Sequence, residues 1–245
     1  MILFLSDLQG RFEVVNAQID HAESHAGRTV DAVVLPGDLG LTEPLLSRFF
    51  RRRGERFRRP FFYIEGNHED FDAFDVNVER YADVMTHLPR GTAHTIAGRK
   101  FLALGGASYM DSFTTPERSL LKERDIHRCL RHPPDAVDIV LTHDCPSGIG
   151  MSGSPVFSHL PPPGFRGSPE LLSHFHPHLW FFGHHHRWFQ TALNGTRFFG
   201  LPEAWCGYAL LHEDDRVDCI EHHILPPPTN WQRVLRWLRC EGMKL

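Results

Sequence analysis

Five times along this chain a short apolar run ends in a polar cluster. Asp7 and Gln9 follow Ile2-Leu3-Phe4-Leu5, and Gly37-Asp38 follows Ala32-Val33-Val34-Leu35. Gly66-Asn67-His68-Glu69 follows Phe61-Phe62-Tyr63-Ile64, and His143 follows Asp138-Ile139-Val140-Leu141. Gly183-His184-His185-His186 follows Leu179-Trp180-Phe181-Phe182. Each run reads as a β-strand. Strand ends in an open α/β sheet are where such folds bind ligands, so the pattern constrains both the architecture and the position of a site.

The order of elements begins with strand 2–5, helix 11–26, strand 31–35, helix 43–53 and strand 61–64. That alternation predicts parallel strands joined by helical crossovers. Residues 70–82 read as a helix, and a turn at Pro89-Arg90-Gly91 precedes strands near 93–97 and 101–105. Residues 116–131 read as a helix with Thr115 as cap and Pro116 at its first position. A strand at 137–142 follows. Residues 144–168 are rich in Pro, Gly and Ser and too long for a simple connector; a functional loop over the site and a disordered surface excursion are both open. A short helix near 169–176 leads to strand 178–182, and strands near 188–192, 196–200, 207–212 and 217–224 suggest an antiparallel ending. After Pro226-Pro227-Pro228, residues 229–240 read as an amphipathic helix with Trp231, Val234, Leu235 and Leu238 on one stripe, expected to pack on the core.

No break in composition and no repeat divides the 245 residues, so one domain over 1–245 is expected. A chain of this length can bury most of its apolar surface in one core. No segment approaches the apolar length of a membrane span, and the opening residues carry no basic stretch or cleavage site. The five cysteines are odd in number and lack Cys-x-x-Cys spacing, which argues for reduced thiols in a cytoplasm and against a disulfide frame or a zinc ribbon. A net charge of -4 predicts no global attraction to nucleic acid. Arg51 to Arg59 is the one basic concentration. It reads as a solvated helix end, with a phosphate-backbone patch as the alternative.

Carboxylates, imidazoles and one amide delivered to a single sheet edge are what a pair of divalent metals needs. Two metals a few Å apart share a bridging ligand, and a single carboxylate suits that place at Asp38. Asp7 neutralises charge at one metal. His143, His184 and His186 offer neutral imidazoles to borderline ions such as Zn, Mn or Fe. Asn67 adds a carbonyl oxygen without charge, which keeps the site positive toward a phosphate. A bridging water would lose its proton near neutral pH and attack phosphorus in line as hydroxide. His68, adjacent to Asn67 and not needed as a ligand, could protonate the departing oxygen or bind the transition-state charge.

Taken in order, Asp7-Leu8-Gln9, Gly37-Asp38, Gly66-Asn67-His68-Glu69, His143 and Gly183-His184-His185-His186 resemble the calcineurin-like metallophosphoesterase superfamily. The resemblance implies a double β-sandwich of two packed mixed sheets flanked by helices, in the α/β class. It implies two divalent metal ions (Mn, Zn, Fe or Ni), one on Asp7, residue 9, Asp38 and His186, the other on Asp38, Asn67, His143 and His184. His68 would be the catalytic histidine, and the reaction hydrolysis of a phosphate ester. The chain departs from the family at Gln9, where the usual first block is Asp-x-His; a neutral amide holds Zn or Fe less firmly than imidazole. Gln9 is therefore expected to ligate weakly, to hydrogen-bond a metal-bound water, or to leave its site empty. Thr142 to Ile149, with Gly167-Ser168-Pro169 and Leu179-Trp180-Phe181, is also similar to the corresponding region of RNA lariat debranching enzymes, which favours phosphodiester chemistry and keeps a nucleic-acid substrate open.

Blander roles stand beside these. Asp7 and Asp38 could cap the helices that follow them, and Asn67 could make a turn. Glu69 and Asp70 read as helix-start charges, Arg11 as a solvated helix residue with contact to a substrate phosphate as the alternative, Cys145 as a packed thiol, and His185 as a non-ligand at the rim or in solvent, facing away from the ligands. The leading expectation is a phosphodiesterase. A phosphomonoesterase or protein phosphatase of the same fold, or a scaffold whose catalysis has weakened at Gln9, are the alternatives.

Overall fold

The computed structural model describes residues 1–108, 115–153 and 162–224. The branched and aromatic runs form strands β1 (Ile2–Phe4), β2 (Ala32–Pro36) and β3 (Phe61–Ile64), which lie side by side and parallel. The short β4 (Thr86–His87) adds to β3, while β11 (Gly207–Leu211) and β12 (Val217–Glu221) extend the other edge antiparallel. This first sheet has the order β12-β11-β1-β2-β3-β4. The second contains β5 (Thr92–Ile96), β6 (Arg99–Leu104), β7 (Ile139–Thr142), β8 (Leu179–Phe182), β9 (Phe189–Leu193) and β10 (Thr196–Gly200), in the order β5-β6-β7-β8-β10-β9. Its centre, β6-β7-β8-β10, is parallel, and its two edges are antiparallel hairpins.

The central strands are buried on both faces, which is why they read as continuous apolar runs. Phe4, Val34, Ile64, Phe101, Leu141 and Phe181 point into the space between the sheets. Phe4 and Phe181 stack across it with centroids 3.8 Å apart and planes 10° from parallel, a pair worth about 1 kcal/mol beyond its buried area. The alternate residues Leu3, Leu5, Val33 and Leu35 pack outward against Val15, Ile19 and Ala22 of α1 (Glu13–Ala26) and against Phe49 and Phe50. Leu102, Val140, Trp180 and Phe182 pack on the opposite face of the second sheet, against α4 (Glu123–Cys129) and α5 (Ser168–Phe175). The result is the expected α/β sandwich, two mixed six-stranded sheets flanked by helices.

Several local expectations need correction. The helix expected at 43–53 is α-helical only over α2 (Glu43–Leu46) and continues as π-helical turns over Ser47–Arg52. The helix expected at 70–82 begins later, as α3 (Phe74–Arg80), because the Asp70 carboxylate accepts the Ala73 N–H at 3.3 Å and closes a turn. Residues 116–131 do not form one helix. A 3₁₀ turn at Glu117–Ser119 is followed by extended Leu120, and α4 starts only at Glu123. Here Leu120 bridges to Ala107, Leu121 donates to the Ala107 carbonyl at 3.0 Å, and Arg90 donates to the Leu120 carbonyl at 2.9 Å. These tertiary bonds outweigh a helix propensity of tenths of a kcal/mol per residue. Arg11 is not a solvated helix residue. It precedes α1, and its guanidinium lies 3.8 Å from the centroid of the Trp205 ring. The helix expected at 229–240 lies outside the described residues, as does 154–161 of the long loop.

Candidate metal centre

Parallel strands β1, β2 and β3 of one sheet and β7 and β8 of the other end at one edge of the sandwich, and the five polar clusters leave from those ends. Their loops latch to one another. Gln9 N–H donates to the Asp38 carbonyl at 3.0 Å, and Gly183 N–H to the His143 carbonyl at 3.0 Å. Among the described residues, five of the nine non-glycine positions with positive φ fall here: Asp7 (51°), Gln9 (49°), Asp38 (53°), His184 (67°) and His186 (52°). Left-handed backbone at a side-chain-bearing residue costs about 1–2 kcal/mol, so its concentration at one place points to a function for that place. Two glycines make the approach possible. A Cβ at Gly66 would meet Asp38 Oδ1 at 2.0 Å, and one at Gly183 would meet Ser6 Oγ at 2.0 Å.

The inner part of the cluster is fully enclosed. His143 Nδ1 lies 2.7 Å from the Pro36 carbonyl, so that nitrogen carries the proton and donates. Its Nε2 lies 2.9 Å from Asn67 Oδ1 and 3.3 Å from Asp38 Oδ1. Nitrogen and two oxygens thus converge on a point where a cation, proton or metal, has to sit. Burial alone would lower the His143 pKa, but the Asp38 carboxylate overrides it and raises the imidazole to about 10. Burial likewise opposes ionisation of Asp38, and the neighbouring His143 and His68 charges outweigh it and hold the carboxyl well below its ordinary range. The Asn67 and His68 N–H groups both donate to Asp38 Oδ1 at 2.9 Å. His184 sits edge-on to His143, with ring centroids 4.9 Å apart. Burial lowers its pKa to about 4, which keeps its ring neutral and its lone pair available.

The outer part opens to solvent. His186 Nε2 lies 3.1 Å from Asp7 Oδ1, and this hydrogen bond raises the imidazole pKa. Asp7 Oδ2 accepts from Ser6 Oγ–H and from the His184 N–H at 3.2 Å. Donor atoms of Asp7, Asp38 and His186 lie within 4.8 Å of one another, a spacing that suits one metal ion. Gln9 Nε2 donates to Asp38 Oδ2 at 2.8 Å. His68 is exposed and faces the adjoining cavity, with Asp38, Asn67 and His184 to His186 on the same wall. All eight residues singled out from the sequence therefore meet at one place.

Three carboxylates that support the cluster escaped the sequence reading. Glu69 is a clamp more than a helix-start charge. It is buried, and its oxygens accept the N–H groups of Leu39 at 2.8 Å and Leu41 at 2.6 Å, fixing the loop that carries Asp38. Asp144 is buried and lies 3.3 Å from His185 Nε2, so His185 is tethered to the wall instead of turning to solvent. Glu203 lies 3.4 Å from His186 Nδ1. Glu69 closes the third motif and Asp144 adjoins His143, and those positions were the only signal. Glu203 sits outside every motif and had none. Cys145 is a buried thiol with its pKa raised by burial, as expected.

A double sandwich with imidazoles, carboxylates and an amide at its strand ends defines a class of metal-dependent hydrolase. Residues 1–188 match the calcineurin-like phosphoesterase family, and the chain belongs to it. It is accordingly a hydrolase of phosphate ester bonds, in a family that uses divalent metal ions. No curated protein matches. Among solved structures, TT1561 of Thermus thermophilus is 17% identical with a TM-score of 0.65, over 90% of this chain and 97% of that one. A putative 5'-nucleotidase from Staphylococcus aureus is 13% identical with a TM-score of 0.54, over 98% of this chain and 58% of that one. GAP50, the anchor in the inner membrane complex of Plasmodium, is 16% identical with a TM-score of 0.52, over 84% and 72%. At these identities the likeness establishes the fold. No helix among the described residues is long and apolar enough to cross a membrane.

Proposed function

We propose that this chain is a phosphodiesterase working with two divalent cations, and that Asp38 is the ligand common to both. The observation that carries the reading is the meeting of seven donor side chains from five strand ends around Asp38. Asp7, Gln9 and His186 would complete one position; Asn67, His143 and His184 would complete the other. The donor set fits such ions: imidazole nitrogens and carboxylate oxygens suit Mn, Zn, Fe or Ni. His143 already has its Nδ1 committed to a backbone carbonyl, which aims Nε2 inward. Bound cations supply positive charge for a phosphoryl group and acidify water.

The chain's own residues do the rest. Asp7 and Asp38 are the two anionic groups among the seven donors, so two bound dications would leave the donor set itself net positive toward a phosphate anion. His68 stands on the cavity side with its backbone held by Asp38, where an imidazolium can give its proton to the departing alcohol. A diester needs room for two alcohols, and the adjoining cavity provides it. After reconstitution with Mn²⁺, bis-p-nitrophenyl phosphate should be hydrolysed faster than p-nitrophenyl phosphate. A strong preference for the monoester would reject the diesterase reading, and turnover that survives Asp38→Asn would reject the site.

One observation favours a second reading. Gln9 Nε2 occupies an Asp38 oxygen that an outer cation would use. If that hydrogen bond persists in the presence of metal, the chain would be a weakened enzyme on this fold, serving as a scaffold. Absence of turnover with every metal tried, together with only one ion bound, would support it.

A further inference from the structure

We infer that the cavity beside the centre is a binding site for the apolar alcohol of a small phosphodiester. This rests on the reading of the centre given above and extends it to the substrate. The cavity has a volume of about 1010 Å³ and begins at Asp38, Asn67, His68 and His184 to His186. That is the upper end of the range for sites that enclose drug-sized organic molecules, and far more than a phosphate group requires. Away from the centre its wall is hydrocarbon: Leu121 ahead of α4, Ile126 on α4, Leu130 just after it, and Pro163 and Phe165 from the long loop. Leu121 and Leu130 are only half-buried and line the cavity, which leaves apolar surface there for a ligand to cover.

The wall is built to hold its shape. Arg90 donates to the carbonyls of Leu120 at 2.9 Å and Arg118 at 3.0 Å, while its own guanidinium is anchored on buried Glu65. The Lys122 N–H donates to the Asp125 carboxylate at 3.1 Å and starts α4 at this point. Nor does the charge suit a polynucleotide. Lys122 pairs with Glu117 at 3.1 Å, His127 Nε2 lies 3.7 Å from the Glu123 carboxylate, and Arg166 and Glu170 both line the cavity, one cation and one anion. A groove for nucleic acid carries an uncompensated excess of cations along the phosphate track. A balanced rim around an apolar floor selects a compact ester with a hydrocarbon or aryl group.

The experiment compares diesters that share one leaving group. Methyl p-nitrophenyl phosphate and phenyl p-nitrophenyl phosphate are assayed with the full chain and Mn²⁺. Thymidine 5'-p-nitrophenyl phosphate serves as the nucleoside arm. The phenyl ester should exceed the methyl ester by about tenfold or more in kcat/KM, mostly through KM. Leu121→Asn and Leu130→Asn should remove most of that margin. Leu130→Trp, which fills the space with a residue that keeps the core apolar, should depress the phenyl ester alone. Equal kcat/KM for the two esters, or a margin untouched in all folded variants, overturns the inference. A thymidine ester preferred over the phenyl ester overturns it in favour of nucleotides. A second readout needs no turnover: diphenyl phosphate should bind the wild-type protein at least about tenfold more tightly than dimethyl phosphate. If no ester is hydrolysed but this difference is present and is lost in Leu130→Asn, the proposed catalysis fails while the binding site stands. Equal binding of the two phosphates removes the site whatever the activity.

Discussion

The two halves of the cluster around Asp38 are built in different ways. The inner half, with His143, is sealed: the side chains of His143 and Asp38 are 0% and 1% exposed. The outer half is at the rim, where His186 is 42% exposed and Gln9 stands where the family places an imidazole. In the inner half His143 Nε2, Asn67 Oδ1 and Asp38 Oδ1 are held together out of solvent, so a metal ion there takes the place of a buried proton. In the outer half His186 is hydrogen-bonded to Asp7 and Gln9 to Asp38 beside open solvent, and a cation must displace those bonds. On our reading the inner position is the resident one, and the outer position is the one whose filling follows metal concentration.

The comparison can be broken at several points. Asp38→Asn removes the link between the halves and should lower phosphodiester hydrolysis by about 10³-fold or more, measured as kcat/KM at saturating Mn²⁺. His143→Ala strands a buried carboxylate and should destabilise the metal-free protein by about 3–5 kcal/mol in urea unfolding. His186→Ala, at the rim, should cost less than about 1 kcal/mol in the same assay. Equal costs would mean that the halves do not differ in kind. Glu203→Gln weakens the carboxylate behind His186 and should reduce Mn²⁺ affinity at the outer position by about tenfold, with the unfolding midpoint unchanged. Gln9→His should tighten the same position by roughly three- to tenfold in calorimetry, leaving the inner one alone.

The strands and the polar clusters after them were legible because a buried strand must be apolar and a cluster of ligands must not be. Asp38 after β2 and His143 after β7 stand out as polar punctuation in hydrocarbon. What supports them was not legible. Glu203 reaches His186 because the β10–β11 loop folds back onto the loop after β1, where Ala204 N–H donates to the Ser6 carbonyl at 2.7 Å. Glu69 sits in the expected motif, but its bonds to Leu39 and Leu41 join segments 30 and 28 residues apart. The break at Leu120 was hidden for the same reason. Local propensity favoured a continuous helix, and a bridge to Ala107 together with a guanidinium from Arg90 decided otherwise. The apolar cavity wall drew on α4 and the long loop at once, two segments whose meeting no periodicity announces.

Crystals grown with Mn²⁺ and measured at the manganese absorption edge would test the account most directly. It predicts two anomalous peaks about 3.5–4 Å apart, one toward His143 and His184 and the other toward Asp7 and His186, with Asp38 between them. A single ion seated away from Asp38, or no peak within bonding reach of His143, would contradict it.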